Sequence, residues 1–337
     1  MDTPRLIQAG DLKLIGHDPR QLAKRCNRGE LVRVRRGTYL ESGAWNVLDA
    51  ASRYGLKVRA FQQQAGRPPV FCHATAAMLW GLWIVRTPAL LHVIIASNAG
   101  GRSRNDIARH VGSLTDGVVE CGGILLTNKL MTTLGLLTSL DFDYAVAVCD
   151  SALHRASTHT SNNIFTTPGR APAIGQASWH NDVPQGSALL LSDLITAAQL
   201  LPSASSRHRA MAVLEFSSGL SGSAGESLSR VQMHKLGFPA PELQRRFTLR
   251  DGSSAFVDFW FEEFQTAGEF DGRGKYLRAE WGGGKPLPER LIVEKQREDQ
   301  IRAQGVNFVR WTWAEMLDPN RFELLLRQVG LPQHRHH

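Results

Sequence analysis

Asp258, Glu269 and Asp271 fall in one strand–turn–strand pattern within the stretch VDFWFEEFQTAGEFDGRGKY, residues 257–276. Asp258 falls in a strand pattern, and Glu269 and Asp271 are two residues apart, so one strand would place both carboxylates on the same face. Carboxylate oxygens are the ligands that Mg²⁺ prefers, and a bound Mg²⁺ polarises a phosphate and lowers the pKa of an attacking water. The sequence therefore offers Asp258, Glu269 and Asp271 as metal ligands of a phosphodiester-cleaving centre.

The same acids also have ordinary structural roles. Asp271-Gly272 is a common turn dipeptide, and Asp258 can accept hydrogen bonds from backbone groups at a strand end. Glu226 can lie in the first turn of a helix, where the helix dipole favours a negative charge. Any one of these acids is more often structural than catalytic, so the catalytic interpretation depends on their joint placement.

The elements that carry these acids are predicted in an informative order. The patterns predict a helix, three strands, a helix, a strand and a closing helix, over residues 224–236, 242–249, 254–261, 265–270, 287–304, 307–313 and 319–329. This α-β-β-β-α-β order resembles the core of PD-(D/E)XK restriction-endonuclease-like folds, including the very-short-patch repair type. The resemblance implies an endonuclease-like domain over about residues 218–330.

That resemblance also implies roles for particular residues. Glu226, on the first helix, would join Asp258, Glu269 and Asp271 as a catalytic acid, with Mg²⁺ as the cofactor if the site is active. The usual motif is E-x-K, whereas Glu269 is followed by Phe270 and Asp271, which is similar to an E-x-D-G variant. The catalytic lysine would then be Lys275 or Lys295, and the departure leaves cleavage activity an open question.

A second candidate site is the basic segment GHDPRQLAKRCNRGELVRVRRGTYLESG, residues 16–43. Asp18-Pro19 predicts a helix start, and Gly29 is placed to end that helix. The next residues alternate as in a hairpin, with a turn at Arg36-Gly37. The exposed face of the helix and the hairpin would carry the DNA-binding side chains: Gln21, Lys24, Arg25, Arg28, Arg33, Arg35 and Arg36.

A helix with a cationic face followed by a basic hairpin is the layout of a winged helix-turn-helix, in which the helix enters the major groove of double-stranded DNA and the wing contacts phosphates. Residues 1–60 hold 12 Lys and Arg against 6 Asp and Glu, so they carry +6 of the net charge of +8. The alternative is a small helical domain with a solvated basic face.

Three segments resemble the AbiEi-type antitoxins, which are regulators from type IV toxin–antitoxin systems. LAKRCNRGELVRVRRGTYL is similar to their N-terminal domain. FCHATAAMLWGL (71–82) and LLTNKLMTTLGLL (125–137) are similar to two motifs of actinobacterial relatives, with Thr75 in place of a serine and with Lys129, Thr132 and Thr133 matching only parts of the second motif. The resemblance implies a DNA-binding autorepressor or antitoxin-like regulator, with a cognate toxin as a further partner.

Length and composition restrict the number of domains, the kind of partner and the compartment that can be expected. A chain of 337 residues predicts two or three domains, and a pI near 9.6 favours a polyanionic partner, nucleic acid first. Four scattered cysteines suggest neither a zinc knuckle nor a disulfide framework and fit a reducing cytoplasm: Cys26, Cys72, Cys121 and Cys149. No apolar run approaches the roughly 20 residues that span a bilayer, so no membrane association is expected.

The expected fold class is α/β, as an α+β multidomain chain. A winged helix at 1–42 is followed by a connecting helix and a mixed α/β middle at 43–156, a linker with packing helices at 157–217, and the endonuclease-like domain. In the middle, His73 is interpreted as a helix N-cap, and Trp80 and Trp83 as core. Three functions stay open: a DNA-binding regulator, a Mg²⁺-dependent endonuclease targeted by its winged helix, and a protein that neutralises a toxin.

Overall fold

The computed structural model describes residues 4–10, 20–96, 106–155, 185–272 and 287–333, and the architecture is mixed α/β, as predicted. The described residues up to Leu136, with Gln185 and Gly186, form one compact unit, and those from Leu137 to Arg155 and from Ser187 onward form a second. Among these residues, no helix is both long and apolar enough to cross a membrane. The predicted helix start at Asp18-Pro19 and the candidate Lys275 lie outside the described residues.

The first unit begins with helix α1 (Arg20–Asn27) and a three-stranded antiparallel sheet in the order β1-β3-β2. The strands are β1 (Ile7–Gln8), β2 (Leu31–Arg35) and β3 (Thr38–Glu41). Gly29 and Gly37 have φ values of 75° and 76°, a left-handed conformation that glycine adopts without a steric cost, so they end the helix and form the hairpin turn as predicted.

The connecting helix predicted after the winged helix is two helices, α2 (Ser42–Asn46) and α3 (Ala50–Gln64). Asp49 separates them because its side chain accepts a hydrogen bond from the Ser52 amide at 2.7 Å and thereby starts α3. Val34 and Leu40 of the hairpin share a core with Leu56 and Ala60 of α3. The hairpin therefore has an apolar side that packs on α3.

The first unit also holds a five-stranded sheet in the order β6-β5-β4-β8-β7. Pairs β4–β8 and β5–β6 are parallel, and β4–β5 and β7–β8 are antiparallel. The central β4 has only two residues, too few to show the alternation that identifies a strand in the sequence. The strands are β4 (Val70–Phe71), β5 (Leu91–Ile95), β6 (Ile107–Val111), β7 (Val118–Cys121) and β8 (Ile124–Thr127).

Two helices accompany this sheet, α4 (His73–Leu79) and α5 (Lys129–Ser139). The N-cap of α4 is Cys72, and His73 is already the first helical residue, so the prediction of His73 as the N-cap is wrong by one position. Trp80 and Trp83 are buried, as their interpretation as core residues required.

The second unit contains helices around a four-stranded sheet in the order β12-β11-β10-β9. Strand β10 is antiparallel to both β9 and β11, while β11 and β12 are parallel. The predicted α-β-β-β-α-β order of elements is confirmed. Its elements are α6 (Phe142–Leu153), α7 (Leu191–Gln199), α8 (Ala204–Phe216), α9 (Ala224–Lys235), β9 (Glu242–Thr248), β10 (Ser254–Phe261), β11 (Thr266–Phe270), α10 (Leu287–Arg302), β12 (Asn307–Trp311), α11 (Trp313–Met316) and α12 (Pro319–Gln328).

Close packing brings α9 onto the sheet. A Cβ atom at Gly225 would lie 2.0 Å from the ring of Phe270, so only glycine permits this approach of the helix to β11. Trp311 of β12 is buried and donates a hydrogen bond from its indole Nε1 to the Ser229 hydroxyl at 2.8 Å. These contacts place Glu226, one residue after Gly225, beside the sheet.

Candidate functional site

The basic helix–hairpin, residues 20–41, exposes five of the seven side chains predicted to bind DNA. Its apolar residues Leu22, Leu31, Val34 and Leu40 are buried. The polar and cationic side chains therefore lie on the solvent side of the same elements, which is the distribution that a phosphate-binding surface needs. The exposed five are Gln21, Lys24, Arg28, Arg33 and Arg36.

Three of the seven form ion pairs within the protein: the exposed Arg28, which pairs with Glu30 at 2.9 Å, and the two less exposed residues Arg25 and Arg35. Arg25 donates to Glu30 at 2.9 Å and to Glu41 at 3.0 Å, which ties the helix to the hairpin. Arg35 is paired with Asp106 at 3.1 Å, lies over the ring of Phe61, and has a side chain only 11% exposed. The position of Arg35 therefore supports a structural role and does not favour its predicted role in DNA binding.

Glu226 takes part in the cap of its own helix. Its amide donates to the Ser223 hydroxyl at 3.2 Å, while its carboxylate accepts from the Ser223 hydroxyl at 2.9 Å and from the Gly222 amide at 2.6 Å. This reciprocal arrangement satisfies amide donors that the first turn of a helix leaves unpaired. The structural role considered for Glu226 from the sequence is therefore present.

Gln244 of β9 connects Glu226 with Asp258. Its side-chain amide nitrogen lies 3.3 Å from Oε2 of Glu226 and 3.4 Å from Oδ1 of Asp258. Gln244 has a φ of 53°, which is unusual for a residue with a side chain and marks a local irregularity of the strand. Sequence reasoning missed this residue because a glutamine in a strand carries no signal of its own.

Asp258 and Glu269 already have donors within the protein. Asp258 Oδ2 accepts from the Phe270 amide at 3.0 Å. Glu269 contacts Arg297 of α10 through one oxygen and Arg310 of β12 through the other at 2.9 Å. Burial raises the pKa of Glu269 above its ordinary value, Arg297 opposes that rise, and the nearby charge of Asp258 adds to it.

Further charges surround Glu269. Glu294 accepts from Arg297 at 3.0 Å and from Arg310 at 2.9 Å, so two carboxylates share two guanidinium groups. We call Glu269, Glu294, Arg297 and Arg310 the carboxylate–guanidinium cluster. Where a lysine was expected beside the last acid, the structure places two arginines, which sequence reasoning missed because they come from two later elements.

The acids do not fit a Mg²⁺ site. Both oxygens of Glu269 face guanidinium groups, and a divalent cation would have to replace them while tolerating their charge. The oxygens of Asp258, Glu269 and Asp271 do not form a group of three at metal-ligand spacing within the described residues. The amide of Asp271 donates to the Trp311 carbonyl at 2.8 Å, and Lys295 is exposed on α10.

The described residues do contain one group of three with the spacing of metal ligands, in the first unit. Cys72, His73 and His110 each bring a ligand atom to within 4.8 Å of the other two. Nδ1 of His92 lies 2.9 Å from Nε2 of His110. Sequence reasoning missed this group because His110 is far in sequence from Cys72 and His73, and only the sheet brings the two segments together.

Burial keeps these groups uncharged at neutral pH. It lowers the pKa of His73 to about 3 and that of His92 to about 4, and the neighbouring imidazole of His110 contributes to both shifts. Burial also raises the pKa of the Cys72 thiol to about 12. The first unit thus collects a thiol and three neutral imidazoles with lone pairs.

Comparisons with known proteins give little. No family model matches the chain, and no curated protein is significantly similar to it. Among solved structures, the crystal structure of the RV2827C protein from Mycobacterium tuberculosis matches with a TM-score of 0.39 and 14% identity, over 68% of this chain and 76% of that chain. A likeness at this level carries no argument about fold or function.

Proposed function

We propose that this protein is a DNA-binding transcriptional regulator of the AbiEi antitoxin-like kind, and that it contacts double-stranded DNA through the basic helix–hairpin. The observation that supports this most is the exposure of Lys24, Arg33 and Arg36 on elements whose apolar residues are buried. Exposed cations can release condensed counterions from DNA when they bind phosphates, which is the main source of non-specific affinity.

Within this proposal the two elements have different tasks. Gln21 and Lys24 lie on helix α1, whose width suits the major groove, and they are placed to reach base edges and phosphates. Arg33 and Arg36 lie in and beside the hairpin and contact the DNA backbone. Arg25 and Arg35 position these elements through their ion pairs with acids of the same unit.

The side-chain contacts in the second unit favour a regulatory function over cleavage of DNA. Its element order favours the second candidate, a Mg²⁺-dependent endonuclease, but the acids on it are occupied by amide and guanidinium donors. Asp258 and Glu269 therefore lack the free oxygens that metal-dependent hydrolysis needs. The resemblance that suggests a regulator also implies a cognate toxin as a further partner.

The proposal is tested by the salt dependence of DNA binding. Fluorescence anisotropy would follow a mixed-sequence duplex titrated with the full chain at several KCl concentrations. Each phosphate contact contributes about 0.9 to the slope of log affinity against log salt. The double variant Arg33→Ala/Arg36→Ala should lower the slope by about two contacts' worth, while Arg321→Ala, an exposed arginine of the second unit, should leave it unchanged.

Two results would contradict the proposal. A slope that is identical in the wild type and in Arg33→Ala/Arg36→Ala would show that these arginines do not contact phosphates. A loss of slope in Arg321→Ala as large as that in the double variant would show that the basic helix–hairpin is not the surface responsible. Circular dichroism of each variant would establish that the fold is intact.

A further inference from the structure

We propose that Cys72, His73 and His110 form a binding site for a Zn²⁺-class transition-metal ion, with His92 orienting His110. The three ligand atoms lie within 4.8 Å of one another. In a tetrahedral zinc site, bonds of about 2.0–2.3 Å place ligand atoms about 3.3–3.8 Å apart. Closing the group around an ion therefore brings ligand atoms closer by about 1.5 Å at most. It also turns one imidazole ring, because His73 and His110 are stacked at an interplanar angle of 17° and each must direct its in-plane lone pair at the ion.

The sheet explains why these residues meet. Cys72 directly follows β4, and its amide donates to the His92 carbonyl of β5 at 3.0 Å. His110 of β6 pairs with Ile94, which is two residues after His92, so His92 and His110 lie on the same face of the sheet. His73 begins α4 immediately after Cys72 and stacks on His110, with ring centroids 3.7 Å apart.

His73 carries two independent marks of a ligand. Its Nδ1 atom is buried and has no hydrogen-bond partner, although buried polar atoms are almost always satisfied. Its backbone has a φ of 46°, a conformation that a histidine adopts at a cost and that occurs preferentially at functional sites. A metal ion bound to the imidazole would account for both the orphaned nitrogen and the enforced position.

The types of ligand atom determine which metal ions the site can bind. A thiolate with two imidazoles suits Zn²⁺ and other borderline-soft ions and does not suit Mg²⁺, which requires oxygen ligands. On binding, the Cys72 thiol proton passes to solvent and the thiolate takes its place as ligand. Three protein ligands leave a fourth position for water or another small ligand.

His92 is placed as the outer partner that such sites use. Metal-bound imidazoles are usually held through their second nitrogen by a hydrogen bond, which fixes the tautomer and the ring orientation. With the ion bound at Nδ1 of His110, the contact of 2.9 Å between Nδ1 of His92 and Nε2 of His110 would be of this kind. His92 is therefore a positioning residue and not a ligand.

Isothermal titration of Zn²⁺ into the full chain tests the proposal. The sequence ends in HRHH, so the background carries His334→Gln, His336→Gln and His337→Gln to remove a competing metal-binding tail. We expect one Zn²⁺ to bind per chain, Mg²⁺ not to bind, and Co²⁺ to give a thiolate-to-cobalt absorption band. His92→Phe should weaken Zn²⁺ binding by about 10- to 100-fold, and Cys72→Ala or His110→Gln should weaken it further.

The control is Cys121→Ala, another buried cysteine of the same sheet, which should bind Zn²⁺ as the background does. His110 is only partly buried, so His110→Gln provides a variant that should fold even if Cys72→Ala does not. Absence of Zn²⁺ binding in the background would overturn the proposal. Full-affinity Zn²⁺ binding by a folded His110→Gln variant would also overturn it.

Discussion

The basic helix–hairpin of the first unit and the carboxylate–guanidinium cluster of the second are both rich in charge, but they differ in where that charge is compensated. Lys24, Arg33 and Arg36 are exposed. Arg297 and Arg310, in contrast, contact Glu269 and Glu294 at close range, and Glu269 is only 8% exposed. The first region leaves cationic charge exposed at the surface, and the second neutralises its charges with partners inside the fold.

This difference shows why residue type and order are an insufficient guide to a site. The acids of the second unit occur in an order that resembles a nuclease, yet the carboxylates of Asp258 and Glu269 already accept from donors within the protein. Function requires groups whose lone pairs or charges are available. By that criterion the exposed cations and the Cys72–His73–His110 group are the stronger candidates.

The largest effect is expected from the deepest carboxylate of the second unit. Asp150 is fully buried and accepts from Arg230 at 2.8 Å, with three further donors: the Ser218 amide and the hydroxyls of Ser221 and Ser227. Asp150→Ala leaves a largely buried guanidinium without its anion, which costs about 3–5 kcal/mol in free energy of unfolding. Urea unfolding of the wild type and of Asp150→Ala measures this loss.

The matched control for that change is on the same helix. Asp143 pairs with Lys235, whose side chain is 49% exposed, so Asp143→Ala should cost less than about 1 kcal/mol. Equal costs for Asp150→Ala and Asp143→Ala would break the comparison, because they would mean that internal compensation of charge contributes nothing to the second unit.

A buried cation of the first unit predicts a pH dependence. Burial lowers the pKa of Lys129 to about 8, and its ammonium donates to the Gln185 carbonyl at 3.1 Å. Between pH 8 and the ordinary value of 10.5 the unfolded chain holds the Lys129 proton more than the folded one does, so the contribution of Lys129 to stability rises with pH, opposite in sign to that of buried thiols such as Cys72, whose pKa is raised. The rise should reach up to about 3 kcal/mol, at about 1.4 kcal/mol per pH unit.

Lys129→Met should abolish that rise while keeping the buried aliphatic chain. Urea unfolding at several pH values between 7 and 10.5 would compare the variant with the wild type. A profile with the same slope in both proteins would show that Lys129 titrates as an ordinary surface lysine.

A smaller loss is expected at the carboxylate–guanidinium cluster. Arg297→Met removes one of the two cations that contact Glu269, and Arg310 remains at 2.9 Å. We therefore expect a cost of about 2 kcal/mol, below the value for a fully broken buried pair. Adding Glu269→Gln should recover part of it, because the uncompensated charge is then absent. If the double variant Arg297→Met/Glu269→Gln is no more stable than Arg297→Met, Arg297 does not compensate the charge of Glu269.

The smallest effect concerns the backbone at Gln244. Its φ of 53° is a left-handed conformation that costs a side-chain-bearing residue about 1 kcal/mol relative to glycine. Gln244→Gly and Gln244→Ala both remove the amide that bridges Glu226 and Asp258, so their difference isolates the backbone strain. Gln244→Gly should be more stable than Gln244→Ala by about that amount in thermal unfolding. Equal stabilities would argue against a strained backbone.

Much of the fold could be predicted because helices and long strands show periodic patterns and capping residues. The α-β-β-β-α-β order of the second unit is of this kind. Strand β4 could not be predicted, since its two residues have no period and its role is set by the neighbouring strands β5 and β8. The break between α2 and α3 depends on one side-chain cap, that of Asp49.

The sites were less predictable than the elements, for the same physical reason. Exposure of Lys24, Arg33 and Arg36 follows from the alternation of polar and apolar residues. The ion pair that removes Arg35 from the surface involves Asp106, 71 residues away, and the partners of Glu269 lie on two later elements. The approach of His73, His92 and His110 depends on strand pairing in the same way.

The central claim is that the basic helix–hairpin, and not the carboxylate–guanidinium cluster, contacts DNA. Amide hydrogen exchange of the full chain, with and without a mixed-sequence duplex in excess, tests it directly. We predict slower exchange in peptides covering residues 20–41 and unchanged exchange in peptides covering 258–270 and 287–302. Unchanged exchange across residues 20–41, or protection concentrated in the second set of peptides, would contradict the account.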